Sequence, residues 1–201
     1  MGRVLSAMGD HTKAAANFGK ASKALQTHKP GSPSLRAALF AHGSELSLLL
    51  QYDEALPWLR SCVQLWEADP VADEAAMAEA HHALGMALLH TEQCDEAAGV
   101  LRKAVGGMLE QLPVMDPRNA PRKLPRELQD LTDCYHDLTD ALCRSGENKK
   151  AKETCMARLR VLTSHVGPKH LSLVPALMQL GEVFMALAQP KSAEEHALRA
   201  L

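Results

Sequence analysis

Apolar side chains recur along this chain at the i, i+3, i+4 and i+7 spacings of one helical face, with no run alternating as a half-buried strand does. Leu39, His42-Gly43 and Leu46 trace one such face; so do Leu84-Gly85 and Leu88, Tyr135, Leu138 and Leu142, and Leu177, Leu180-Gly181 and Phe184. A second pattern places an Ala first and small or apolar residues four and seven positions later: Ala14, Phe18, Ala21; Ala55, Leu59, Cys62; Ala97, Leu101, Ala104; Ala151, Cys155, Arg158; and Ala193, Ala197, Ala200. Breakers stand between the patterns at Gly9-Asp10, Pro30 to Pro33, Asp69-Pro70, Gly146-Glu147, Gly167-Pro168 and Gln189-Pro190. Together they predict helices over residues 1–8, 11–28, 33–50, 53–68, 72–90, 94–112, 126–145, 148–165, 170–188 and 190–201. In Ser32-Pro33 and Asp69-Pro70, an N-cap residue precedes a proline suited to the first helical position. Gly43, Gly85 and Gly181 each cost up to about 1 kcal/mol of helix propensity, so each predicts close approach of a neighbouring helix.

The leading alanines of the second pattern are 41, 42, 54 and 42 residues apart, so one insertion of about a dozen residues explains the only irregular interval. A period of this length carrying two helical patterns is that of stacked helix pairs. The expected fold is all-α, an α-α superhelix of antiparallel pairs. Residues 113–125 hold the insertion; Pro113, Pro117, Pro121 and Pro125 forbid a regular helix there and predict a solvated, mobile loop. Its Arg118, Arg122 and Lys123, with Arg126, form a small basic segment that suits an acidic surface.

The order Leu180-Gly181, Phe184, Ala193, Ala197, Ala200 resembles the tetratricopeptide repeat (TPR). The 42-residue spacing and the linker Val166-Gly167-Pro168-Lys169-His170 are similar to the longer form found in kinesin light chains. Phe18, Tyr52, Tyr135 and Phe184 fall where that family packs aromatics. The resemblance implies a single array over residues 1–201 with about five repeats: 1–30 (partial), 33–69, 70–112, 126–166 and 169–201 (partial). Two departures stand out: the family's first-helix Trp and Tyr are mostly Leu here, and Arg158 occupies a small-residue slot, which predicts looser packing of the fourth repeat.

Composition narrows the chemistry. A formal charge of −2 excludes nucleic-acid binding driven by bulk charge. Apolar residues at 46% with aromatics at only 3% favour close-packed helices over sheets. The five cysteines are odd in number and form no CxxC pair, and no apolar leader fits between Arg3 and Asp10, so a reducing, cytoplasmic setting is expected. No apolar run reaches the length of a membrane span. His82 and His90 lie about 12 Å apart on one helix, too far to share an ion with Cys94. Cys134 and His136, two apart, point to different sides of their helix, so no nucleophile and base are paired. No metal, no cofactor and no catalysis are expected. Cys62 and Cys155 read as small hydrophobes in packing slots, and Trp58 and Trp66 as packing between repeats.

The resemblance also implies a concave groove lined by the first helix of each pair: Phe40, Ser44 and Ser47; Glu79, His82, Met86 and His90; Asp133, His136, Asp137 and Asp140; and Met178, Gln179, Glu182 and Met185. The Lys and Asn clamp with which family members grip a C-terminal carboxylate is missing, as is the Asn ladder of kinesin light chains. Carboxylates interspersed with Met and His suggest a basic and apolar peptide or helix as partner. The expected function is a non-catalytic protein-interaction scaffold. Its alternatives are an architectural segment of a larger, cytoskeletal or motor-associated assembly, or a regulatory sensor module. Neither end of the chain shows a polar capping repeat, so further repeats or a capping subunit are expected at both.

Overall fold

The computed structural model describes residues 1–69, 71, 73–119 and 121–200. The helices are α1 (Gly2–Ala7), α2 (His11–His28), α3 (Pro33–Leu48), α4 (Tyr52–Glu67), α5 (Glu74–His90), α6 (Cys94–Glu110), α7 (Arg126–Arg144), α8 (Asn148–Val166), α9 (Leu173–Ala186) and α10 (Pro190–Ala200). Among the described residues there is no strand. Two compact units divide the chain: Met1–Gln93, holding α1 to α5, and Cys94–Leu201, holding α6 to α10. Within each unit every helix packs against the next in chain order.

The periodicity of the sequence reappears in the backbone. Each odd-numbered helix is followed by three residues, and the middle one has a left-handed φ: Gly9 (78°), Leu50 (61°), Glu92 (62°), Gly146 (81°) and Ala188 (56°). At all five turns this residue donates its N–H to the carbonyl three positions back, and the next residue donates to the carbonyl five back, on Leu5, Leu46, Leu88, Leu142 and Phe184. This is the Schellman closure, which satisfies carbonyls that a helix end leaves orphaned. Only two of the five positions carry the glycine that such a φ favours.

Burial follows the predicted slots at the middle copies. Ala55, Leu59, Cys62, Ala97, Leu101, Ala104, Ala151 and Cys155 are fully buried. Copies one and five depart from it: Ala21 is exposed while Ser22 is buried, and Ala197 is exposed because no described helix covers that side of α10. The Ala200 side chain, Pro70 and Leu201 lie outside the described residues. The predicted close approach at Gly43 is present, since a Cβ there would sit 2.6 Å from Leu59 Cγ and Cδ2; at Gly181 the contact is ordinary, 3.6 Å to the Ala193 carbonyl.

Several expectations need correction. Ser32 caps α3 ahead of Pro33 as predicted, but α5 is capped by Asp73, which accepts from the amides of Ala75 and Ala76. Asp69 instead pairs with Arg36, whose guanidinium also lies 4.1 Å above the Trp66 ring. That hydrogen bond holds the Asp69 carboxyl below the usual carboxylate range. Trp66 and Trp58, the latter edge-on to His42 at 4.8 Å, thus each meet a side chain of α3 within their own helix pair. Helix α9 starts three residues late because Leu173 and Val174 bond back to His170 and Leu171 in a turn. Arg158 is itself buried, with Nη1 donating to Gln179 Oε1 at 3.0 Å.

The Pro-rich insertion is not a free tether. Leu112, Met115 and Leu124 pack against a buried cluster of Leu128, Leu162, Val166, Leu173, Ala176 and Leu177. A short 3-10 turn at Pro117–Asn119 rests on α8, and His170 Nε2 donates to the Pro121 carbonyl at 3.0 Å. Three apolar side chains and one long-range hydrogen bond hold the segment, and its four prolines lower the chain entropy that docking it costs.

Candidate functional site

In the second unit most of the candidate residues face outward from two touching helices. Leu128, Leu131, Tyr135, Leu138 and Leu142 turn the apolar side of α7 inward. That leaves Asp133 and His136 exposed and Asp137 and Asp140 half-buried, at the i, i+3, i+4 and i+7 positions of the other side. On α9, Leu177, Leu180, Val183 and Phe184 are buried, while Met178 (57% exposed), Glu182 and Met185 (61% exposed) face out at i, i+4 and i+7. The two helices touch, and a hydrogen bond fixes their register: Gln179 Nε2 donates to the His136 carbonyl at 3.0 Å. Gln179 itself is thereby withdrawn from the surface. Its amide is buried, and its oxygen accepts from Arg158, so both polar ends serve packing rather than a ligand.

The surface is acidic, with local partners. Asp133 accepts from Gln129 Nε2 at 2.9 Å, and Asp140 lies 3.7 Å from Arg144, one turn on. An exposed pair of this kind holds its members loosely, so a ligand cation can replace Arg144 at little cost. Beside the carboxylates, Met178, Gly181, Met185, Pro190, Ala193 and Ala197 line a shallow, mostly apolar depression between α9 and α10. Charge and adaptable apolar surface therefore adjoin.

The first unit gives its candidates a different character. On α3, Phe40, Ser44 and Ser47 are half-buried, and Ser47 Oγ donates to the Gly43 carbonyl. On α5, Glu79 is exposed and His82 and Met86 are half-buried. His90 stacks on Tyr52 with centroids 4.1 Å apart and planes 8° from parallel. Helices α3 and α5 touch, so these residues share a neighbourhood, but Glu79 is the only carboxylate among them. Spacing alone did not reveal the buried Glu45 carboxylate of α3, which meets His11 Nδ1 at 2.8 Å; a charge at a core-facing position was the only available sign.

Burial pushes the Cys62 and Cys155 thiols up to about 11 and raises Cys134 as well, so these three are thiols rather than thiolate nucleophiles at neutral pH. Among the described residues no three His, Cys, Asp or Glu side chains are placed to hold a metal ion, and no helix is long and apolar enough to cross a membrane.

No protein-family model matches the chain, and no curated protein matches its sequence. Solved structures do match its fold. The nearly identical TPR-like repeats of a Podosopora anserina kinesin-light-chain-type protein superpose with a TM-score of 0.76 at 17% identity, over 99% of this chain and 89% of theirs. MamA from Desulfovibrio magneticus RS-1 gives 0.68 at 17%, over 99% and 88%. YrrB, a TPR protein with an unusual peptide-binding site, gives 0.67 at 16%, over 99% and 80%. The chain thus has the all-α fold of TPR-like superhelices.

Proposed function

We propose that this chain is a non-catalytic protein-interaction scaffold, a single array of about five repeats with the bounds given above, and that its second unit takes a basic and apolar peptide or helix across α7 and α9. The observation that carries the reading is the side-by-side placement of Asp133, Asp137, Asp140 and Glu182 with Met178 and Met185 on the outer face of two touching helices. A Lys or Arg side chain of the partner meets the carboxylates, and its apolar side chains settle against the methionines, whose flexible thioethers adapt to varied shapes. The fold's kinship with YrrB, which has a peptide-binding site, supports this use of it. The α3 and α5 residues Phe40, Ser44, Glu79, His82, Met86 and His90 extend the reading to the first unit, where the chemistry is less acidic.

The test is fluorescence anisotropy of a labelled peptide alternating Lys with Leu, titrated with the full chain. Binding is expected to weaken as salt rises, and Asp137→Lys with Asp140→Lys is expected to weaken it at least tenfold without changing the circular dichroism spectrum. Equal affinity of the double variant would remove α7 and α9 as the site.

A further inference from the structure

The second unit carries another surface, of opposite sign. We propose that the folded insertion and the α8–α9 linker form a cationic docking surface for an acidic protein segment bearing apolar side chains. Arg118, Arg122, Lys123 and Lys169 are exposed, and among the described residues none of them has an ion-pair partner. The single carboxylate of residues 113–125, Asp116, is spent on its own turn, where Oδ1 accepts the Arg118 amide at 2.9 Å. Four cations are therefore collected in a chain whose overall charge is −2.

Anchoring distinguishes this segment from an ordinary basic loop. Leu112, Met115 and Leu124 root it in the cluster around Leu162 and Val166. The His170 bond to the Pro121 carbonyl ties the insertion to the linker that carries Lys169. Gly167, with φ of 82°, brings that linker close beside the Pro117 carbonyl, 3.7 Å from where a Cβ would stand. Ligand binding to such a surface forfeits less conformational entropy than ordering a free loop does. Among these cations Val114 and Leu171 are exposed at 102% and 81%, so the complementary ligand has apolar groups beside its carboxylates.

An acidic polypeptide fits better than the other polyanions. No Phe, Tyr or Trp occurs in residues 113–125 or 167–172 on which a base could stack, and the one imidazole, His170, is tied to Ser172 and to the Pro121 carbonyl. Two exposed aliphatic residues are few for insertion into a lipid interface. The surface is independent of the α7–α9 reading and stands if that reading fails.

The experiment uses the full chain and a labelled peptide alternating Glu with Leu, followed by anisotropy at low salt. Saturable binding is expected. It should weaken at least tenfold in Arg118→Glu with Arg122→Glu, and several-fold in His170→Ala, which releases the tie while leaving every cation in place. Asp137→Lys with Asp140→Lys should not weaken it, and circular dichroism should be unchanged throughout. The proposal fails if the wild type does not bind the peptide, or if the charge-reversed chain binds it equally well. It fails as well if phosphatidylserine vesicles or a single-stranded oligonucleotide bind the wild type more tightly than the peptide does.

Discussion

The five left-handed turn residues allow a mirrored pair of substitutions inside one unit. Ala188 (φ 56°) and Gly146 (φ 81°) occupy the same position of the same turn, each donating to the carbonyl three residues back, on Met185 and Cys143. Ala188 is exposed, and a Cβ added at Gly146 would meet nothing within 4 Å, so neither exchange alters packing. What remains is backbone. A left-handed φ costs a residue with a Cβ about 1–2 kcal/mol, and glycine costs about 0.5–1 kcal/mol more chain entropy on folding than alanine. At the middle of both ranges the difference leaves about 0.75 kcal/mol: Ala188→Gly should stabilise the second unit by that amount and Gly146→Ala should destabilise it equally. Urea unfolding followed by far-UV circular dichroism reads both as shifts of midpoint at constant slope. If the two variants shift in the same direction, or neither shifts, the turn residues are not left-handed in solution and the repeat register built on them is wrong.

Three other outcomes follow from buried polar groups. Gln179→Leu removes the acceptor of the buried Arg158 guanidinium and should cost roughly 1–3 kcal/mol, while adding Arg158→Met should restore most of it; a double variant no more stable than the single one refutes the pairing. Burial lowers the pKa of His42 below its ordinary 6.5, with Lys23 adding to the shift, so the unfolded chain binds the proton more readily. Stability should therefore fall as pH drops through 6.5 toward 5, and His42→Phe should flatten that fall; an unchanged slope would show that His42 is not desolvated. Finally, in the native chain at neutral pH a thiol reagent should modify half-buried Cys94 first and Cys143, equally half-buried but with its thiol pKa raised by burial and by Asp140 and Glu182, more slowly, leaving Cys62, Cys134 and Cys155 unmodified until denaturant is added.

Helix content was legible because its signals are local, and the misread ends show where locality stops. Ser32-Pro33 and Asp69-Pro70 are the same signal, yet only the first starts a helix. Asp69 is taken by Arg36, thirty-three residues away, and Asp73 caps α5 in its place. The left-handed turns at Leu50, Glu92 and Ala188 have no glycine to announce them and emerge only from the hydrogen bonds they share with Gly9 and Gly146. The insertion was legible as non-helical from its prolines. That it is docked depends on Leu112, Met115 and Leu124 finding a cluster built largely by α8 and α9, which no window of sequence displays. Among the candidate surface residues that the resemblance implies, Asp133, Met178 and Glu182 are exposed. The resemblance had no means of seeing that Gln179 is held by Arg158 and by a carbonyl of α7.

The two kinds of connection in this chain differ in what lengthening they tolerate. All five turns with the Schellman closure are three residues long, whereas the other connections span residues 29–32, 68–73, 111–125 and 167–172. One residue added to a three-residue turn breaks the bond five positions back that closes it and so disturbs how the next helix is set against the one before. Added to the other connections, the same residue disturbs no repeating hydrogen bond, and doubling such a loop costs only about 0.6 kcal/mol of closure entropy. Growth by insertion is thus confined to alternate joints, as the insertion at 113–125 already illustrates. An affinity tag or protease site placed within 29–32 should leave the helices on either side in register.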